Sequence, residues 1–463
     1  MHLCNKTNYK VLKELLKQEL RSLFNSIALW IMFLILCFLI GYSFIQAINL
    51  FGEASKTALK YPDLASGMNT LDGILVPTFG AFYLSNTIFL PFIAIRVIGN
   101  DKQSGTIKLL MQLPLNSLQI MTIKIVSLAI CWLISFIPCL STLIIWRVSG
   151  GHLYYPEVFN LLLGHALYAL AIIAVSFFAA SITDSSATAA IVALIIILSS
   201  WILDFAAGTQ LGFLKKISNI SFTPAIKAFE QGLFSSSKAF QFLITAAIFF
   251  ALATIWISLK DNFLRKIRYS SIAIVITIFL FFLSSTFVFY KDFSENRNNS
   301  FSRSDEIALS QVEKPLHIVV YLSPNDSRFV DLDKNILSKL ERTVPKLVLD
   351  YPNIKSADLF DGKKDPNYGL IIYKYDNKED KSYSISENEI LQIIFNLTGK
   401  KVIAEKPKPY PGYPIIIKTK SSAIWFYICL PIFYVLAWWL SKNGVIKNKK
   451  FNINIIKMYG SKK

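Results

Sequence analysis

The chain has 463 residues, 53% of them hydrophobic and 14% aromatic, with a formal net charge of +18 and a mean hydropathy of +0.46. A soluble protein of this size could not keep so much apolar surface from aggregating, so the composition indicates an integral membrane protein. The charge does not point to nucleic acid. Residues 291–421 carry 21 Lys/Arg against 19 Asp/Glu, so the excess lies in the apolar remainder, where it sets orientation and meets anionic lipid.

Residues 9–24 place Val11, Leu12, Leu15, Leu16, Leu20, Leu23 and Phe24 on one helix face, with Lys10, Lys13, Lys17 and Arg21 opposite. That pattern predicts an amphipathic helix over 1–26, lying in the membrane interface instead of crossing it. No cleavable leader is expected, because a 26-residue stretch rich in polar and charged residues precedes the first apolar run, which is long enough to span. Eight runs reach the roughly 20 residues that a crossing helix needs. They lie near 27–49, 74–95, 121–146, 158–181, 187–206, 239–259, 270–290 and 422–441.

Short-loop Lys and Arg favour both termini in the cytoplasm. That choice puts 20 positive residues inside, in 1–26, 96–124, 260–269 and 442–463, and six outside. Residues 291–421 then form an extracytoplasmic unit. It opens with the polar linker Lys291–Glu313, followed by a strand over Leu316–Leu322, an amphipathic helix over Phe329–Val344 and a strand over Gly369–Tyr373. A helix begins at Ser386, with Glu387 and Glu389 in its first turn, and stops at Gly399 before a strand over Lys400–Ala404. Alternating strand and helix predicts a small α/β domain, tethered back to the membrane by the proline-rich residues 406–414.

The segment between the second and third runs joins charge, a glycine turn and an apolar stripe. Gly105 lets the chain turn, Ile107, Leu109, Leu110 and Leu113 form the stripe, Pro114 stops it, and Asn116 or Ser117 caps the next helix. From Arg96 through Asp101, Lys102, Gly105, Thr106, Leu109, Leu110 and Pro114 to Lys124, the segment resembles the cytoplasmic loop of ABC-2 type permeases. Two departures are Asn100 in place of an acid and Lys108 where that family often has Glu. Ser221–Phe234 resembles the segment before the last permease span in the gliding-motility and nitrous-oxide-maturation branch, centred on Phe229 and Gly232. Leu316–Ser323, the helix after it, and Ser386–Lys401 resemble the auxiliary extracytoplasmic domain of gliding-motility systems, although the later part of that domain is absent here.

The resemblance implies an α-helical polytopic fold: a six-span permease unit over 27–260, a seventh span over 261–290, the α/β domain over 291–421, an eighth span over 422–441 and a basic cytoplasmic tail over 442–463. It implies a permease subunit in the bacterial inner membrane, a homodimer or heterodimer, driven by a cytosolic ABC ATPase that docks on the nine residues named from Arg96 to Lys124. Phe229 and Gly232 would belong to the outer gate. The alternative is a non-transporting scaffold that relays ATPase motion to envelope partners.

Enzyme chemistry is not expected of the chain itself. No Gly-x-x-x-x-Gly-Lys-[Ser/Thr] run occurs, so no cofactor is expected to bind directly, and ATP and Mg2+ would come with the partner subunit. His2, His152, His165 and His317 do not pair at ligand spacing. Cys37, Cys131, Cys139 and Cys429 lie in apolar runs, where neither a disulfide framework nor a CxxC redox site is expected, and Cys131 with Cys139 reads as packing. Of the ionisable groups in the runs, His165 stands out, with packing the plainer account and function the other.

Overall fold

The computed structural model describes residues 2–61, 69–112, 115–207, 221–286, 288–324, 326–352, 367–400, 402 and 419–443. The chain is mostly helical, and eight of its described helices are long and apolar enough to cross a membrane. These spans are Ile27–Thr57, Leu71–Gln103, Ser117–Val148, Tyr155–Ile182, Ser186–Phe205, Ser236–Ile257, Phe263–Thr286 and Thr419–Asn443. The helix preceding them, His2–Phe24, is the amphipathic element expected over 1–26.

Local chemistry shapes the spans. The third is two helices, Ser117–Ser135 and Ile137–Val148, joined at Phe136. Pro138 sits in the first turn of the second piece, where its missing N–H costs nothing, so the break falls just before it. The fourth span is the hub and packs against the second, fifth and sixth. Gly164, Ala171, Ala174, Ala179 and Ala180 are buried along it, and small side chains let neighbouring backbones approach. The eighth span rests on the first through Phe44 and Phe426, Phe33 and Tyr434, and Trp30 and Tyr434. The seventh has no buried residue and packs mainly against the sixth among the described residues.

The α/β domain holds a four-stranded sheet in the order β4-β3-β5-β6. Its strands are β3 (Leu316–Val320), β4 (Leu347–Asp350), β5 (Ile371–Tyr375) and β6 (Lys378–Ser382). β3 runs parallel to β4 and antiparallel to β5, which forms a hairpin with β6. Leu316, Ile318 and Val320 alternate inward on β3 while His317 points out. The crossover from β3 to β4 is helical, Ser327–Leu332 and Ser338–Thr343 around a π turn, and buries Phe329, Leu332, Ile336, Leu337 and Leu340. Helix Glu387–Thr398 adds Ile390, Leu391, Ile394 and Leu397, and Gly399 ends it at φ 70.

Several elements differ from the sequence expectation. β6 reads Lys-Glu-Asp-Lys-Ser, a composition that masks a strand; the ladder to β5 holds it, and the exposed ion pairs Lys374–Glu379 and Lys381–Glu379 add little. The linker expected over Lys291–Glu313 contains helix Arg303–Ser310, capped by the Ser302 side chain. It also begins with β2 (Tyr290–Asp292), which pairs antiparallel with β1 (Leu233–Ser235). The strand expected over Lys400–Ala404 and the tether over 406–414 fall largely or wholly outside the described residues.

Candidate functional site

Two polar constellations stand at opposite ends of the second span, a helix of 33 residues or roughly 50 Å. At the basic end, Gln103 closes the span and Gly105 turns the chain in the left-handed region at φ 73, where a side chain would be strained. Helix Thr106–Leu110 follows, braced by the Ser104 and Thr106 hydroxyls 2.7 Å apart. The third span then starts at Ser117, with the Gln119 side chain accepting from the Asn116 N–H at 3.0 Å.

Buried ionic contacts lock these pieces together. Lys124 is only 1% exposed, and its ammonium donates to Glu19 of the amphipathic helix at 2.6 Å and to Asp101 of the second span. Burial pushes the Glu19 carboxyl above its ordinary range, against the pull of the Lys124 ammonium. Lys102 donates to the carbonyls of Ala180, Ser181 and Thr183 at 3.1, 2.9 and 2.6 Å. It thereby satisfies the orphan acceptors at the end of the fourth span and meets the negative end of its dipole. Leu15, Leu110, Leu115, Ile120 and Ile123 pack into a small apolar cluster beside this clasp.

The residues singled out from the sequence therefore divide. Asp101, Lys102, Lys124 and Leu110 turn into the subunit, while Arg96 and Leu109 turn out. Leu109 is 64% exposed beside the exposed Lys108. Gly105 and Thr106 are half-buried between them, and Pro114 lies outside the described residues. Glu19 was not singled out. The signal was its register: it falls with Leu15 and Leu23 on the apolar face, where a carboxylate needs a partner.

At the far end, helix Phe222–Glu230 buries Phe222, Ala225, Ile226 and Phe229. Ser200 accepts from the N–H groups of Phe222 and Thr223 at 2.6 and 3.2 Å and so caps that helix. The Phe229 carbonyl accepts from Asn160 at 2.9 Å, and a Cβ on Gly164 would stand 2.3 Å from the Phe229 Cβ. Glu230 lies 3.3 Å from His165, whose ring is surrounded by Phe79, Phe82 and Phe136. Gly232, at φ 83, passes the chain into β1, and its carbonyl accepts from Phe293.

A clasp joins this end to the residues leading into the α/β domain. Glu157 accepts from the Glu295 N–H at 3.2 Å, and His152 stands 2.9 Å from the Glu295 carboxylate. Asn298 donates to Asp72 at 3.0 Å and Asn299 to the Gln231 carbonyl at 2.7 Å. Among the described residues, no group of three or more His, Cys, Asp or Glu is placed to hold a metal ion.

The family model described as ABC-2 family transporter protein matches residues 14–261, more than half of the chain. The chain belongs to the ABC-2 transporter family. Comparison with curated proteins and with solved structures returns no match. The ABC-2 match opens within the amphipathic helix and closes just after the sixth span, so it takes in both constellations. The seventh span, the α/β domain and the eighth span lie beyond it. As an ABC-2 family member with eight apolar helices, the chain is a multi-pass membrane protein of the transporter kind.

Proposed function

We propose that the chain is the permease subunit of an ABC system for export or translocation across the bacterial inner membrane, coupled to a separate ATPase that brings ATP and Mg2+. The observation that carries this reading is the Lys124 clasp. It makes the amphipathic helix, the end of the second span and the start of the third one stiff block, with Leu109 and Lys108 projecting beside it. A push on Leu109 is then delivered to three elements together. Arg96, Asp101, Lys102, Gly105, Thr106, Leu110, Pro114 and Lys124 shape and support this docking element. The excess of Lys and Arg in the loops of the same end supports a cytoplasmic setting for it and for both termini. Two such subunits, identical or not, would pair with two ATPase copies. Phe229 and Gly232 are assigned to the outer gate, and the likeness of Ser221–Phe234 supports the gliding-motility and nitrous-oxide-maturation branch.

The decisive test is Leu109→Asp in the full chain. A carboxylate forced into the docking contact costs about 3 kcal/mol, so ATPase affinity should fall about a hundredfold while the subunit stays folded. Pull-down of the ATPase and its stimulated hydrolysis are read at equal membrane levels. Unchanged association and stimulation would overturn the assignment. Leu110→Asp is unsuitable, because Leu110 is part of the subunit's own packing.

One observation favours a second reading, force relay without transport. β1 follows the gate helix directly and is hydrogen-bonded to β2, which leads into the α/β domain. Motion of the gate would therefore reach that domain through a backbone ladder.

A further inference from the structure

We propose that the groove between the first and eighth spans is a binding site for one acyl chain of an anionic phospholipid. The groove has a volume of about 210 Å³ and is lined by Ile27, Trp30, Ile31 and Leu34 on the first span and Tyr434, Val435 and Trp438 on the eighth. These residues follow helical spacing on each span, so one face of each helix supplies the wall. Ile27 and Ile31 are 57% and 50% exposed, and the groove therefore opens sideways out of the bundle. In a spanning helix that direction is hydrocarbon. From Ile27 to Leu34 the trough is roughly 10 Å long, enough for part of an extended chain entering from the interface.

The walls are fixed before any ligand arrives. The Trp30 indole donates to the Phe24 carbonyl at 2.7 Å, and Tyr434 is buried, its ring tilted against Phe33 and its hydroxyl donating to the Ile134 carbonyl at 3.2 Å. A fixed wall spares the ligand the cost of ordering it. The mouth supplies charge. The Lys442 ammonium sits over the Trp438 ring, 5.3 Å from its centroid, one turn beyond the last lining residue and at the end of the span. Trp at this level with a neighbouring cation suits the glycerol and phosphate region of a lipid. The cation selects a phosphate that carries net negative charge over one balanced by its own ammonium. That complementarity, added to the lateral opening, commits the occupant to an anionic phospholipid.

The test uses the purified full chain in nanodiscs, with phosphatidylglycerol or phosphatidylcholine brominated on the acyl chains as quencher. The Trp438 share of the fluorescence is taken as the difference between parent and Trp438→Phe. That share should be half-quenched at about a fivefold lower mole fraction of the brominated phosphatidylglycerol, the factor one cation near a phosphate supplies. Lys442→Gln should bring the two lipids together without removing quenching. Equal quenching by both lipids in the parent would overturn the headgroup assignment. Absence of quenching by either would overturn the site. Quenching that appears only on dilution would assign the groove to a second copy, and quenching only after removal of residues 444–463 would assign it to the chain's own tail; either result overturns the proposal.

Discussion

Lys124 and Glu19 lie 105 residues apart in the chain, yet their side chains meet at 2.6 Å in a site that water barely reaches. The pair fastens the amphipathic helix to the start of a span, and Asp101 adds a third element to the same ammonium. Two carboxylates around one lysine depend on that lysine for their stability. Lys124→Met should cost about 3–5 kcal/mol, since it leaves the buried Glu19 and the half-buried Asp101 without the ammonium between them. Lys124→Met combined with Glu19→Gln and Asp101→Asn should recover most of the loss, because no uncompensated charge remains. Thermal unfolding of the purified variants in one detergent checks both.

Lys102 predicts a separable effect. Its three carbonyl contacts close the end of the fourth span, so Lys102→Met should loosen that end by about 1–2 kcal/mol. Hydrogen exchange should quicken at the amides around residues 180–185 and stay unchanged in the α/β domain. Equal protection in parent and variant would show that the contacts are not stabilising.

Much of this was readable from residue order, and the limits are physical. Apolar runs of spanning length declared the eight helices, because burial in hydrocarbon leaves nothing else for such runs to do. Gly105 declared the turn, and Glu387 with Gly399 bracketed a helix that runs Glu387–Thr398. β6 stayed hidden because its stability comes from the ladder to β5 and not from its own charged residues. The inward turn of Asp101, Lys102 and Lys124 was hidden for a related reason. Charged residues in a loop read as solvated until their partners, here Glu19 and three carbonyls distant in sequence, are brought beside them.

Acid should weaken the α/β domain at one identifiable place. Asp326 accepts from Arg328 and from the Tyr368 hydroxyl, and the Arg328 guanidinium foremost holds its carboxyl down at about 2. A depressed carboxyl adds stability that is complete above its unfolded value near 4 and is lost as the pH falls through about 2. Arg328 is half exposed, so solvent screening reduces the contribution to on the order of 1 kcal/mol. Hydrogen exchange of β3 and β5 amides in the intact chain should accelerate across that window, and Asp326→Asn should flatten the dependence.

At the far end, Gly164 admits the Phe229 side chain against the fourth span. Gly164→Val should drive the two apart at a cost of about 1–3 kcal/mol, because a packed contact cannot absorb a branched side chain without moving. A cysteine at position 231, in a background without native cysteines, should then label faster with an impermeant maleimide than it does beside Gly164. Equal rates would mean that Phe229 does not hold this end shut.

The β1–β2 ladder separates the two functional readings. Phe293 donates to the Gly232 carbonyl and Ser236 to the Phe289 carbonyl, so Ser235 and Tyr290 face each other as a pair without mutual backbone hydrogen bonds. Such pairs bring Cβ atoms closest, and Ser235→Cys with Tyr290→Cys should oxidise readily in the resting protein. If helix Phe222–Glu230 swings away during transport, it pulls β1 from β2, and disulfide formation should slow about tenfold when the ATPase is cycling. If that helix and the α/β domain move as one body, as force relay requires, the ladder stays closed and the rate is unchanged. Measuring cross-link formation with and without ATP in membranes containing the ATPase therefore tells an opening mouth from a rigid lever.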